Sequence, residues 1–172
     1  MELSSKQIEQ FNKDGYIIFP ELFTSDEIEI FKNEVDRVSK IRSEMVVREG
    51  EDEAVKIMFQ LHEENVETAS PPFRTAARSP RILRTAQQCL GDEELYLHHS
   101  KLNMKSAIEG SAWPWHQDFH SWHLDGIKQP DMVTVTVVLT EASPINGCMY
   151  VLPGSHKHGR SSPRWDDSTA YK

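Results

Sequence analysis

Met132-Val133-Thr134-Val135-Thr136-Val137-Val138-Leu139-Thr140 is the stretch on which the fold class turns. Val133, Val135, Val137 and Leu139 share one parity, and Thr134 and Thr136 share the other. Successive side chains of a strand point to opposite faces, so the run predicts a β-strand with its valines toward a core. Outward from it, residues 95–105, 113–122 and 148–152 show the same mixture of β-branched, aromatic and alternating polar residues, separated by Pro, Gly and Asn turns. Residues 92–172 therefore read as mainly β.

The preceding 91 residues carry helical signals. Ser4 with Gln7 and Thr24 with Glu27 have the spacing of capping boxes, and Gly15 and Gly91 are stop signals. Ile28, Phe31, Val35, Val38 and Ile41 keep a three-and-four spacing that makes one apolar stripe. Tyr16-Ile17-Ile18-Phe19 predicts a short buried strand, and residues 48–65 a short helix after a charged loop, with Val55, Met58 and Phe59 at helical spacing. Ser70-Pro71-Pro72 reads as a break, and residues 80–90 as a helix opened by proline. No repeat or linker interrupts the chain, so residues 1–91 are expected to buttress the strands of 92–172 within a single domain.

Composition narrows the function classes. Apolar residues make up 38% and charged residues 27% of 172 positions, an ordinary globular balance. Lys and Arg number 19 against 27 Asp and Glu, and the net charge of −8 argues against a phosphate-tracking nucleic-acid binder or a polybasic membrane-surface protein. Cys89 and Cys148 are too few for a disulfide scaffold and read as free thiols. No basic region followed by an apolar stretch opens the chain, and its longest apolar-rich run is too short to span a bilayer. A cytoplasmic protein is expected, with a small-molecule partner and its oligomeric state left open.

Residues 113–123 hold three His, one Asp and three Trp. On a strand, His116 and Asp118 would share a face. A His nitrogen and a carboxylate oxygen two residues apart can occupy adjacent corners of an octahedron. One further His would complete the facial triad of non-haem Fe(II) oxygenases, leaving corners for a bidentate cosubstrate and O2. The bland alternative is a surface ion pair. On residues 95–105, His99, Lys101, Asn103 and Lys105 share one parity, a polar face that either lines a site or meets solvent.

With Asn146-Gly147-Cys148 and Pro153-Gly154-Ser155-His156-Lys157 following, His116-Gln117-Asp118 resembles the phytanoyl-CoA dioxygenase family of Fe(II)/2-oxoglutarate oxygenases. The likeness runs from the Gln10 to Tyr16 segment to about His158. It is greatest to the ectoine hydroxylase branch, which acts on a small polar amino-acid derivative. The resemblance implies a double-stranded β-helix, or jelly roll, with flanking helices. It also implies Fe(II) held by His116 and Asp118, with 2-oxoglutarate as cosubstrate and O2 as oxidant. By the same similarity Asn103, Trp113 and Thr136 would lie beside 2-oxoglutarate, and His99, Lys101, His120 and Trp122 would face the substrate. His99 stands where that branch carries Gln.

The family places its second His ligand and a cosubstrate-binding Arg beyond the Pro-Gly-Ser-His turn. After Lys157 only His158, Arg160 and Arg164 remain as such side chains, and His156, within the turn, is the substitute metal ligand to test. The jelly roll thus reads as incomplete at its C-terminal side, and the 172 residues as a piece of a longer protein. Alternatives are a catalytically incomplete family member acting as a binding module, a hydroxylase of a CoA ester or natural product, and a zinc hydrolase, for which no His-Glu-x-x-His is present.

Overall fold

A computed structural model describes residues 1–105, 110 and 113–160. The sequence-predicted caps form as expected. Helix α1 (Ser5–Asp14) is opened by a complete Ser4–Gln7 capping box and closed by Gly15 in the left-handed conformation, φ 81°. Helix α2 (Ser25–Ser39) begins with the Thr24–Glu27 box and buries Phe31, Val35 and Val38 on its apolar stripe. Ser70-Pro71-Pro72 is a beginning rather than a break: the Ser70 hydroxyl accepts from the Phe73 N–H and starts α3 (Pro71–Ala77). Helix α4 (Pro80–Leu90) follows with Pro at its first turn, where a missing N–H costs nothing.

Residues 48–65 depart from the helix expected of them. They supply most of a hairpin, β1 (Val46–Glu49) and β2 (Ala54–Phe59), and β2 pairs antiparallel with β3 (Lys101–Asn103) in the order β1-β2-β3. The helical spacing of Val55, Met58 and Phe59 loses to cross-strand burial. Met58 lies opposite Val46 on one side and Leu102 on the other, and these face the stripe of α2. Gly50 and Glu53 take positive φ in the turn, and Lys56 pairs with Glu49 across it at 3.0 Å. The first 91 residues are thus not purely a helical buttress; they carry two of the three strands among the described residues.

The core is Val35, Val38, Val46, Met58 and Leu61, with Ile41, Val55, Phe73, Leu102, Met104 and Leu139 packed against it. Phe31 joins α2 to α3 by stacking on Phe73 at 5.3 Å. The fully buried Thr68 hydroxyl donates to the Phe59 carbonyl at 2.7 Å. Burying such a hydroxyl is tolerated because it is paired.

Other strands expected from the pattern do not form among the described residues. Residues 16–19 carry no strand and Ile18 is 75% exposed. Only three residues of 95–105 pair. Residues 113–122 end instead in helix α5 (Asp118–Leu124). Residues 132–140 and 148–152 run without ladder partners among the described residues, so Val135 is exposed rather than core, and of that face only Leu139 reaches the central cluster. A strand satisfies its backbone groups through a neighbour, which alternation alone cannot supply.

Arg81 of α4 ties the two helical layers together. Its guanidinium pairs with Glu27, donates to the Leu22 carbonyl at 2.8 Å and lies 4.5 Å from the centre of the Phe23 ring. That pairing and the Thr24 N–H hold the Glu27 carboxyl down from 4.5 to about 2. A carboxylate whose folded value is depressed stabilises the fold above its unfolded value and loses that contribution as pH falls through the folded one. The thermal midpoint is therefore expected to fall between pH 4.5 and about 2. Glu27→Gln should flatten that stretch of the midpoint-against-pH curve relative to the unsubstituted chain, and an unchanged slope would remove Glu27 from the account.

Candidate metal centre

His116 and Asp118 do come together, although not as neighbours on one strand face. His116 precedes α5 and Asp118 is its first residue, with Gln117 as the N-cap. The His116 Nε2 lies 3.3 Å from Asp118 Oδ1. Each group is held from behind. His116 Nδ1 is 2.7 Å from the Pro114 carbonyl, which can only accept, so Nδ1 carries the hydrogen and Nε2 is turned toward the carboxylate. The Thr134 hydroxyl donates to Asp118 Oδ2 at 2.8 Å, leaving Oδ1 toward the imidazole.

The two groups lie within ion-pair distance and attract when His116 is protonated. The Asp118 carboxylate raises the His116 pKa, and the His116 and Thr134 hydrogen bonds bring Asp118 down to about 2. The same geometry fits a metal. Two ligands at bond lengths of about 2.1 Å on adjacent octahedral corners are separated by about 3 Å, close to the spacing present. A backbone carbonyl behind the imidazole and a hydroxyl behind the carboxylate are the outer contacts that orient such ligands.

Among the described residues no third His, Cys or carboxylate completes a metal-binding group. His156 does not serve as the substitute: its ring sits at the end of α1, where Nε2 lies 3.2 Å from the Asn12 carbonyl. His158 lies in the same 3-10 turn (Ser155–His158) and Arg160 is exposed beyond it. Arg164 lies outside the described residues.

Of the residues expected beside the cosubstrate, Asn103 lies on β3 opposite Ile57 and lines a cavity of about 280 Å³ with Lys105, Thr140, Glu141, Asn146 and Gly147. Lys105 extends over Gly147, where a Cβ would stand 2.6 Å from its ammonium nitrogen. Gly147, at φ 84°, is thus required by both backbone and neighbour. Lys105 shares the parity of Asn103, and that was the signal for it in the sequence. Trp113 lies beneath two ammonium groups, Lys56 at 5.4 Å and Lys101 at 5.6 Å from its ring centre. Thr136 is exposed and outside this cavity.

The residues expected to face the substrate gather in part. Trp122 of α5 packs on His98 at 5.0 Å and His99 at 4.9 Å, and His99 also meets Phe59 at 5.7 Å. Burial, then Lys101 and the neighbouring histidines, lower the His99 pKa. His99 Nε2 and His120 Nδ1 are buried with no hydrogen-bond partner among the described residues.

Thr134, not Thr136, is the threonine that touches Asp118. Alternation put both on one face; only the tertiary placement shows which lies opposite the carboxylate. Thr134→Val keeps the shape and removes the hydroxyl, and is expected to weaken Mn(II) binding about tenfold, the lower end for loss of an outer contact. Isothermal titration measures this, and unchanged affinity would make that hydrogen bond incidental.

A His nitrogen and a carboxylate oxygen 3.3 Å apart, each oriented by a hydrogen bond from behind, form an arrangement compatible with a mononuclear metal site. Residues 11–172 match the phytanoyl-CoA dioxygenase (PhyH) family, and the chain belongs to it. An ectoine dioxygenase of Stutzerimonas stutzeri is 32% identical over 161 residues, which cover 91% of this chain and 51% of that protein. One of Nocardia farcinica is 34% identical over 161 residues, 91% and 52% of the two chains. The crystal structure of EctD from S. alaskensis with bound Fe superposes with a TM-score of 0.62 at 30% identity, covering 70% of this chain and 42% of that one. EctD with 2-oxoglutarate and 5-hydroxyectoine gives a TM-score of 0.62 at 29% identity. The chain spans about half the length of the curated relatives it matches. No helix among the described residues is long and apolar enough to cross a membrane.

Proposed function

We propose that the protein is a cytoplasmic Fe(II)/2-oxoglutarate-dependent dioxygenase. It hydroxylates an unactivated C–H bond of a small polar, amino-acid-like molecule on a jelly roll to which residues 92–172 contribute. The observation that carries this is the His116 Nε2 to Asp118 Oδ1 approach of 3.3 Å, with both groups held from behind. The ectoine dioxygenases among its relatives, and EctD with Fe and with 2-oxoglutarate, support the choice of metal and cosubstrate.

His116 and Asp118 would hold the iron. When bound, it supplies the O2-dependent decarboxylation of 2-oxoglutarate to succinate and CO2, coupled to hydroxylation of the substrate. The chain's own residues bind and orient. Asn103 and Lys105 offer an amide and an ammonium to a cosubstrate carboxylate from one cavity; Trp113 and Thr136 join them by resemblance alone. His99, Lys101, His120 and Trp122 would contact the substrate. Trp122 packs against His98 and His99, while His99 Nε2 offers a single donor or acceptor where a Gln would offer both an amide N–H and a carbonyl.

The test is anaerobic Fe(II) loading of the intact protein, then O2, with succinate release followed across a panel of small zwitterions that includes ectoine. Substrate-dependent succinate release together with hydroxylated product is expected. Fe(II) binding without turnover of any panel member would favour the binding-module reading, and absence of Fe(II) binding would overturn the proposal.

A further inference from the structure

The turn that displaced His156 from the metal ties two distant parts of the chain together. Helix α1 ends at Asp14, and the last carbonyls of a helix have no donor within it. Gly15 N–H donates to the Phe11 carbonyl at 2.7 Å. Two others are met from the far end of the described chain. Gly154 N–H donates to the Asp14 carbonyl at 2.8 Å, and His156 Nε2 donates to the Asn12 carbonyl at 3.2 Å. The imidazole lies so close that a Cβ on Gly15 would stand 2.9 Å from its Cε1 atom.

The other end of the same turn reaches the metal pair. The Gly159 carbonyl accepts from Gln117 Nε2 at 3.0 Å. Gln117 separates His116 from Asp118 and is the N-cap of α5, yet its side chain does not cap that helix. It points instead to Gly159. One six-residue turn thus grips the end of α1 at Gly154 and His156 and, at Gly159, the side chain of the residue between the two metal-pair residues.

We propose that residues 154–159 are a brace that sets the metal pair before metal arrives, with Gln117 and His156 as its positioning residues. The inference rests on the reading of His116 and Asp118 as metal ligands. Neither Gln117 nor His156 touches the metal position; they act on the backbone that carries the ligands. A preorganised site binds more tightly because less ordering remains to be done on binding.

Gln117→Met keeps the length of the side chain and removes its donor. His156→Ala removes the grip on α1, and His156→Gln restores a donor for the Asn12 carbonyl. By titration calorimetry of the intact protein, Mn(II) affinity should fall about tenfold in Gln117→Met and in His156→Ala. The double variant should be no worse than about threefold below either single, because both cut one mechanical link. His156→Gln should stay near the unsubstituted protein. Amide exchange at Gly154 should quicken in Gln117→Met, although that substitution lies at the other end of the turn. Unchanged affinity in both singles, or losses that add independently, would overturn the proposal. If the unsubstituted protein binds no Mn(II), the metal reading fails by itself. The brace is then decided by exchange alone, where quickened Gly154 exchange in Gln117→Met upholds it and unchanged exchange overturns it.

Discussion

Asp118→Ala is expected to lower the affinity for Fe(II) or Mn(II) more than about 100-fold, beyond the range found for loss of an outer contact. It should abolish substrate-dependent succinate release with it. The carboxylate supplies the negative charge of the pair, and His116 and Lys101 both act on it. Its removal leaves an imidazole under the positive charge of Lys101, a poor site for a dication. The fold should survive, because Asp118 is outside the core cluster and the α5 backbone does not depend on its side chain. Far-ultraviolet dichroism and a thermal midpoint close to that of the unsubstituted protein would separate loss of the site from loss of the fold. Retained metal affinity or retained turnover would refute the role assigned to Asp118.

Met58→Ala is expected to cost about 2–5 kcal/mol of stability, the usual range for deleting a large buried side chain and leaving part of the cavity open. Met58 is 0% exposed and sits where the sheet meets α2, opposite Val46 and Leu102 and within the cluster that includes Val38. Several elements line the space it fills, so no single neighbour can collapse into it. Urea denaturation should show a lower midpoint at nearly the same slope. A loss below about 1 kcal/mol would mean that the β2 centre is less tightly packed than its burial indicates. Met58→Leu, close in volume, should cost less than about 1.5 kcal/mol.

The two effects fall on different parts of the chain, and the parts differed in how legible they were. Helix starts and stops were written locally. Ser4 with Gln7, Thr24 with Glu27, Gly15 and Gly91 act on backbone groups within a turn of themselves, so a capping reading needs no knowledge of the rest of the fold. The α2 stripe was equally plain, since a helix fixes which residues share a face. Residues 48–65 were not legible in this way. A hairpin between β1 and β2 is selected by Met58 meeting Val46 and Leu102, and Leu102 lies more than forty residues further on.

The candidate site divides along the same line. Residue type and spacing brought out His116 and Asp118 as a metal pair, and the shared parity of Asn103 and Lys105 marked a polar face, because ligand chemistry and strand alternation are properties of short segments. Several matters were decided only by tertiary placement. The pair joins at the entry to a helix rather than on a strand, and Thr134 rather than Thr136 meets Asp118. His156 turns from the metal to the end of α1, and the valines of 132–140 lack a ladder. Each depends on a partner 16 to 144 positions away or on a neighbouring strand. The sequence by itself determined which groups could bind a metal and where helices begin and end. The tertiary structure decided which of those groups face one another, because hydrogen bonds and packing between distant segments are set by how the chain closes on itself.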